Sequence, residues 1–160
     1  MNKWQIMGII GAVIVIIGMF VPWASVSYTN PNTEKKETAT VSGYISILLW
    51  IFVILALVGA LIPKPVGGII TLVFGILGFL DALWNQIGIY GLKSVYENAG
   101  YGDIHIDVGF GGYIIMLGFL IAFVAGILQY LSLKKETAKP APQSPMKEES
   151  EETPSEESHQ

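Results

Sequence analysis

Apolar residues along this chain fall in four long blocks, not in the short alternation of a surface helix or a half-buried strand. The blocks cover residues 4–22, 44–62, 66–90 and 110–133. A helix needs about 20 mostly apolar residues to cross a hydrocarbon core of about 30 Å, and each block has close to that length or more. Helices are also the open-ended elements whose backbone polar groups are satisfied within lipid. The pattern predicts an all-α membrane protein built as a four-helix transmembrane bundle. Breakers mark its limits: Pro22-Trp23 ends the first block and Lys134-Lys135 closes the fourth. Pro63-Lys64-Pro65 separates the second block from the third, a turn so short that these two spans must be antiparallel neighbours.

The segments between spans one and two and between spans three and four carry different patterns. Ala24-Ser25-Val26-Ser27-Tyr28 and Thr38-Ala39-Thr40-Val41 have strand composition, and Asn30-Pro31-Asn32 is turn chemistry, so a β-hairpin is expected there. In the second segment, Leu92-Lys93-Ser94-Val95-Tyr96-Glu97 suits a short helix, and Ile104-His105-Ile106-Asp107-Val108 alternates as a strand does. A lone hairpin is marginal in water. The third strand is therefore expected to join it, so that loops 1 and 2 form a small extracytoplasmic β cap. Residues 1–135 make up the four-span domain. Residues 136–160, rich in Pro, Glu, Ser and Lys and without aromatics, are expected to be a disordered acidic cytoplasmic tail. Pro142-x-x-Pro145 gives that tail a minimal PxxP match.

Charge sharpens this picture. Only 14% of the 160 residues are charged and the net charge is −4. Seven of the 13 acids and four of the nine lysines follow Leu133, so the apolar part is nearly neutral and presents no basic face for nucleic acid. Lys3, Lys64, Lys134, Lys135 and Lys139 share one side of the bundle. Lys35, Lys36 and Lys93 lie on the other, offset by Glu34, Glu37, Glu97, Asp103 and Asp107. The positive-inside rule then places both termini in the cytoplasm of a multi-pass plasma-membrane protein. Met1-Asn2-Lys3 before an apolar run resembles a signal peptide, but Ser25-x-Ser27 is a poor cleavage site, so the first block is read as a retained span. The chain lacks arginine, which removes the bidentate clamp for phosphate or carboxylate. It lacks cysteine, which removes disulfides, thiol nucleophiles and Cys-ligated metals.

Few residues remain to carry chemistry. Asp81 lies within the third span, roughly 22 Å from its start and so in the outer half of the bilayer. An ionisable residue there costs about 2.5–3.5 kcal/mol on the insertion scale. Trp84, Asn85 and Gln86 follow at helical spacing, and with Asp81 they would form a polar strip rising to the outer surface. Two readings stand: a binding or ion-coordinating site, or a carboxylate that bonds loop groups and fixes the cap. Asp103, His105 and Asp107 would share one face of a strand and are weak candidates for a divalent ion. Gly118-x-x-x-Ala122-x-x-x-Gly126 and Gly78-x-x-x-Ala82 are small-residue steps that let helices approach, within the bundle or across a homo-oligomer face. Ala56-x-x-x-Ala60 and Gly8-x-x-x-Ala12 offer further steps. Phosphate loops, nucleophile–base pairs and HExxH are missing, so neither enzyme activity nor a cofactor is expected.

A faint repeat pairs Gly43-Tyr44-Ile45 with Gly112-Tyr113-Ile114, and Trp23 with Trp84, as though two helical hairpins were joined. The layout resembles that of claudin-like tetraspan proteins, with Trp23 just past span one as the point of contact. It also looks like small four-span proteins of prokaryotes whose first helix ends at a Pro-Trp step. The Gly-Leu-Trp motif and loop cysteine pair of the claudin-like group are absent, so no functional residue is carried over. The resemblance covers overall organisation alone; the expected role, from the lack of catalytic motifs and the outer cap, is a structural or protein-interaction one, with membrane lipid and a protein partner as its contacts. A small oligomeric transporter or channel using Asp81 and Asn85, or an accessory subunit signalling through the tail, are the alternatives.

Overall fold

A computed structural model describes residues 2–30, 34–43, 46–99 and 104–137. The element order is α1 (Lys3–Phe20), β1 (Pro22–Thr29), β2 (Lys36–Ser42), α2 (Ile47–Leu61), α3 (Pro65–Asn98), β3 (Ile104–Val108) and α4 (Gly111–Thr137). Local chemistry sets several ends. Gln5 Oε1 accepts a hydrogen bond from the Asn2 backbone N–H at 2.8 Å at the start of α1. Pro22 excludes the helical region for the residue before it. Val21 accordingly sits at φ −80° and ψ 137°, which stops α1 and starts β1. Pro65 opens α3 at the one position where its missing N–H costs nothing.

Three helices, α1, α3 and α4, are long and apolar enough to cross a membrane, as fits a membrane protein. Helix α2 has 15 residues. Its length of about 22 Å falls short of a core of about 30 Å. The second block was expected to run over residues 44–62; of it, Tyr44 and Ile45 lie outside the described residues. Helix α3 departs the other way. It is one unbroken rod of 34 residues. At the usual rise per residue it is about 51 Å long. The short helix expected at Leu92–Glu97 is therefore the continuation of span three. A Cβ added at Gly88 or Gly91 would meet nothing within 4 Å beyond the adjoining backbone of its own helix, so nothing presses the helix to break there. The Lys93–Glu97 pair, 3.8 Å apart, supports the last turns.

The bundle is apolar on its outside as well as at its centre. Large apolar side chains point outward on all four helices, Phe20, Ile47, Leu80 and Leu117 among them. Small and polar residues turn inward. Helix α4 packs on both α1 and α3, and α2 packs on α3 and less extensively on α1. The expected seam on α4 divides between two neighbours. A Cβ on Gly118 would lie 2.7 Å from the Gly11 carbonyl oxygen, and one on Gly11 would lie 2.8 Å from the Ala122 nitrogen, both on the α1 side. A Cβ on Gly126 would lie 2.8 Å from the Gly68 carbonyl oxygen on α3. Each four-residue step turns about 40° further round a straight helix, so Gly118 and Gly126 look about 80° apart. Gly78 makes room for the Phe119 ring, and Ala82 is fully buried. Ala12, Val15, Met19, Leu49, Val53, Ala82, Ile115 and Phe119, drawn from all four helices, fill the centre.

The three strands form one antiparallel sheet in the order β2-β1-β3, with an irregularity between Pro22 and Ala24. Cross-strand partners share a face. Ser25, Ser27, Thr38, Thr40, His105 and Asp107 therefore make one polar face, and Ala24, Val26, Ala39, Val41, Ile106 and Val108 the apolar one.

Candidate functional site

The polar residues of α3 do not form the single strip expected of them. Asp81 and Asn85 share a half-buried face. Asn85 Nδ2 donates to the Asp81 backbone carbonyl at 2.8 Å, one turn back along the same helix, and so braces the backbone. Among the described residues, Asp81 Oδ2 is buried without a hydrogen-bond partner. Gln86 is 3% exposed, and neither of its amide atoms has a partner there. Its carbonyl oxygen lies against Gly112, where any side chain would collide with it. Trp84 leaves the group: at 74% exposure it lies on the outer face of the bundle.

Gln86 belongs instead to a junction of helix ends. The indole of Trp23 is buried, with Gly43 on one side and Gly111 on another. A Cβ on Gly43 would lie 2.7 Å from three atoms of that ring, and one on Gly111 would lie 2.6 Å from Trp23 Cδ1. The Gly109 N–H donates to the Trp23 carbonyl at 2.6 Å, which ties β1 to the start of α4. The Tyr90 and Tyr113 hydroxyls bond to each other and join α3 to α4 beside this junction. Trp23 Nε1, like Gln86, is buried without a partner among the described residues. A cleft of about 210 Å³ opens here, lined by Trp23, Val41, Ser42, Gly43, Ser46 and Asn85.

A second cleft, of about 160 Å³, lies where the apolar face of the sheet meets the upper turns of α3. Ala24, Val26, Val41, Ile89, Leu92 and Ile106 line it, and none of its lining is polar. Leu92 is 56% exposed and Val95, one turn on, 63% exposed.

The hairpin end is held by polar contacts. Glu37 accepts from Tyr28 Oη and from Asn30 Nδ2, both at 2.8 Å. The Asn30 bond, then the Tyr28 bond, holds the Glu37 carboxyl below its ordinary range, and the same carboxylate raises the Tyr28 phenol. Of the weak metal candidates, His105 and Asp107 do come together, with Nε2 and Oδ1 3.1 Å apart on the exposed polar face. Asp103 lies outside the described residues. Among those residues no group of three His, Cys, Asp or Glu gathers.

Three buried polar residues, Gln5, Thr71 and Gln129, went unremarked in the sequence because none is charged. Thr71 Oγ1 lies 3.0 Å from the Gly67 carbonyl and 3.3 Å from the Ala56 carbonyl, linking α3 to α2. Gln129 Nε2 donates to the Ile62 carbonyl at 3.0 Å, tying α4 to the end of α2. Asp81 was singled out as ionisable; the weaker signal of any polar side chain within an apolar block would have found these as well. Protein-family models and curated proteins give no match to this chain, so a functional reading rests on its own geometry.

Proposed function

We propose that the chain is a non-enzymatic four-span protein of the plasma membrane, with both termini cytoplasmic, that presents its sheet outside the cell to a protein partner. The apolar cleft between sheet and α3 carries this reading. Read from Pro65, α3 outruns a core of about 30 Å by roughly 20 Å. Its last turns then stand in water, where Leu92 and Val95 remain exposed beside a cleft lined only by apolar groups. Uncovered apolar surface rimmed by a polar face is the mark of a protein contact, and a cleft of about 160 Å³ suits one apolar side chain of a partner.

The outward apolar side chains of α2, with Ile47 at 75% exposure, support it as the fourth span. At about 22 Å it would cross where the bilayer thins locally. The filled bundle centre favours an interaction role over a conduit, and the use of Gly118, Ala122 and Gly126 within the chain favours packing over a homo-oligomer face.

A photo-reactive residue at Leu92 tests the reading in native membranes, with one at Ile54 as the lipid-facing reference. The Leu92 probe should yield a discrete protein adduct that is lost when Val95→Asp is added. Lipid adducts alone at both positions would overturn it. The transport alternative draws on the unpartnered Asp81 Oδ2 and Gln86 amide; solute flux in vesicles that Asp81→Asn abolishes would favour it instead.

A further inference from the structure

The opposite end of the bundle holds a cleft that the partner-binding reading does not use. It measures about 330 Å³ and lies between the start of α1 and the end of α4, lined by Lys3, Trp4, Leu128, Leu131, Ser132 and Lys135. We infer that this cleft binds the phosphate head group of an anionic phospholipid.

Three observations converge on that ligand. First, the lining is amphipathic in order. Leu128 and Leu131 lie deeper along α4, and Ser132, Lys135, Lys3 and Trp4 lie toward its end. Trp and Lys at the close of apolar helices sit at head-group depth. A single lipid therefore finds apolar wall for its chain and donors for its phosphate.

Second, the charge is of one sign. Lys3 and Lys135 both line the cleft, Lys134 Nζ sits 5.8 Å from the Tyr130 ring beside it, and no described carboxylate pairs with Lys3 or Lys135. Lys3 Nζ stands 4.7 Å from the Trp4 ring centroid. That contact holds the ammonium at the cleft and leaves its N–H donors available.

Third, Ser132 is prepared as a donor. Asn2 Nδ2 donates to Ser132 Oγ at 3.3 Å. The bond uses an acceptor site of the hydroxyl and leaves its O–H for an oxygen in the cleft. Ammonium and hydroxyl donors around an anionic oxygen make the strong class of hydrogen bond. A phosphodiester with a net negative head group fits, whereas a choline head would bring a cation toward two lysines.

The inference needs the helices to lie in a bilayer but not the sheet to bind a partner, so the two proposals fail separately. The full chain in detergent is offered equal amounts of phosphatidylglycerol and phosphatidylcholine, and retained lipid is read by native mass spectrometry. Phosphatidylglycerol should be retained preferentially. Lys3→Gln with Lys135→Gln should lower its retention roughly 30-fold, as two surface lysines at a membrane imply. Leu131→Trp, which fills the cleft without altering charge, should lower it as well. Lys64→Gln, at the α2–α3 turn, should leave it unchanged. Glycerol 1-phosphate at millimolar concentration should not displace the lipid; displacement would assign the site to soluble phosphate and overturn the lipid inference. Equal retention of the two lipids, indifference to the paired lysine change, or an equal loss in Lys64→Gln would overturn it too.

Discussion

Replacing Gly118 by alanine is the most direct test of the bundle. The new Cβ would lie 2.7 Å from both the Gly11 carbonyl oxygen and Val15 Cγ2, and 2.8 Å from the Val15 nitrogen. Two of those three atoms are backbone, so no rotamer change relieves the contact. Ordinary contact begins at 3.4 Å, so α1 must move by several tenths of an ångström. A gap of about 0.5–1 Å forfeits a quarter to a half of each dispersion well, and the loss spreads along the seam that also holds Gly18 against Ile115. Overpacking of this kind costs about 1–3 kcal/mol. Gly91→Ala is the matched control, because a Cβ there would meet nothing within 4 Å beyond the adjoining backbone of its own helix. Alanine should raise helix stability there by about 0.5–1 kcal/mol. Unfolding in detergent micelles, followed by the fluorescence of the four tryptophans, should move in opposite directions for the two variants. Wild-type stability for Gly118→Ala would refute the α1–α4 contact; loss of an oligomer with stability intact would assign Gly118 to an intermolecular face.

Further outcomes follow from the polar contacts. Glu37 has a folded pKa below its ordinary 4.5, so its support of the hairpin is complete above that value and lost as pH falls through the folded one. Amide exchange in β1 and β2 should rise there, and Glu37→Gln should abolish that dependence. Tyr28 has the opposite sign: its bond is complete below its ordinary 10.0 and lost as pH rises through the higher folded value, which ultraviolet titration of the phenol would read. Gln129→Leu removes the donor to the Ile62 carbonyl. A polar contact between membrane helices contributes on the order of 1 kcal/mol, so micelle unfolding should show a loss of that size. Asp81→Leu should leave stability unchanged or raise it, since removing an unpartnered buried polar group relieves a desolvation cost. A loss above about 1 kcal/mol, the net worth of a typical hydrogen bond, would reveal a bond to that carboxylate.

Much of this architecture was legible from pattern. Ile104-His105-Ile106-Asp107-Val108 alternates, and β3 shows Ile106 buried between exposed His105 and Asp107. Pro22 and Pro65 act where their chemistry requires. The continuation of α3 through Gly88 and Gly91 was not legible, because two glycines in a segment turning polar read as punctuation. Only the emptiness around them shows that the helix has no reason to stop. The division of the Gly118–Ala122–Gly126 seam was hidden because a spacing of four reads as one face until the drift of a straight helix is followed between two neighbours. At the candidate site, Asp81 and Gln86 stood out as polar residues in an apolar block, but which way Trp84 turns depends on which helices flank α3. The clefts were beyond reach, since each joins residues from separate elements.

The position of α4 has a consequence for how the protein is made. Most glycines on the packed faces of α1 and α3 find their cover on α4, which follows both in the chain, and β1 must wait for β3 before its second edge is paired. The Asn2–Ser132 bond spans 130 residues. At about 5–20 residues per second, that separation takes roughly 7–26 s to synthesise. Within that interval α1 and α3 carry unfilled grooves until α4 is made, and the hairpin an open edge until β3 is made. Helix α4 is therefore the closure of the bundle: the grooves of α1 and α3 stay open until it docks.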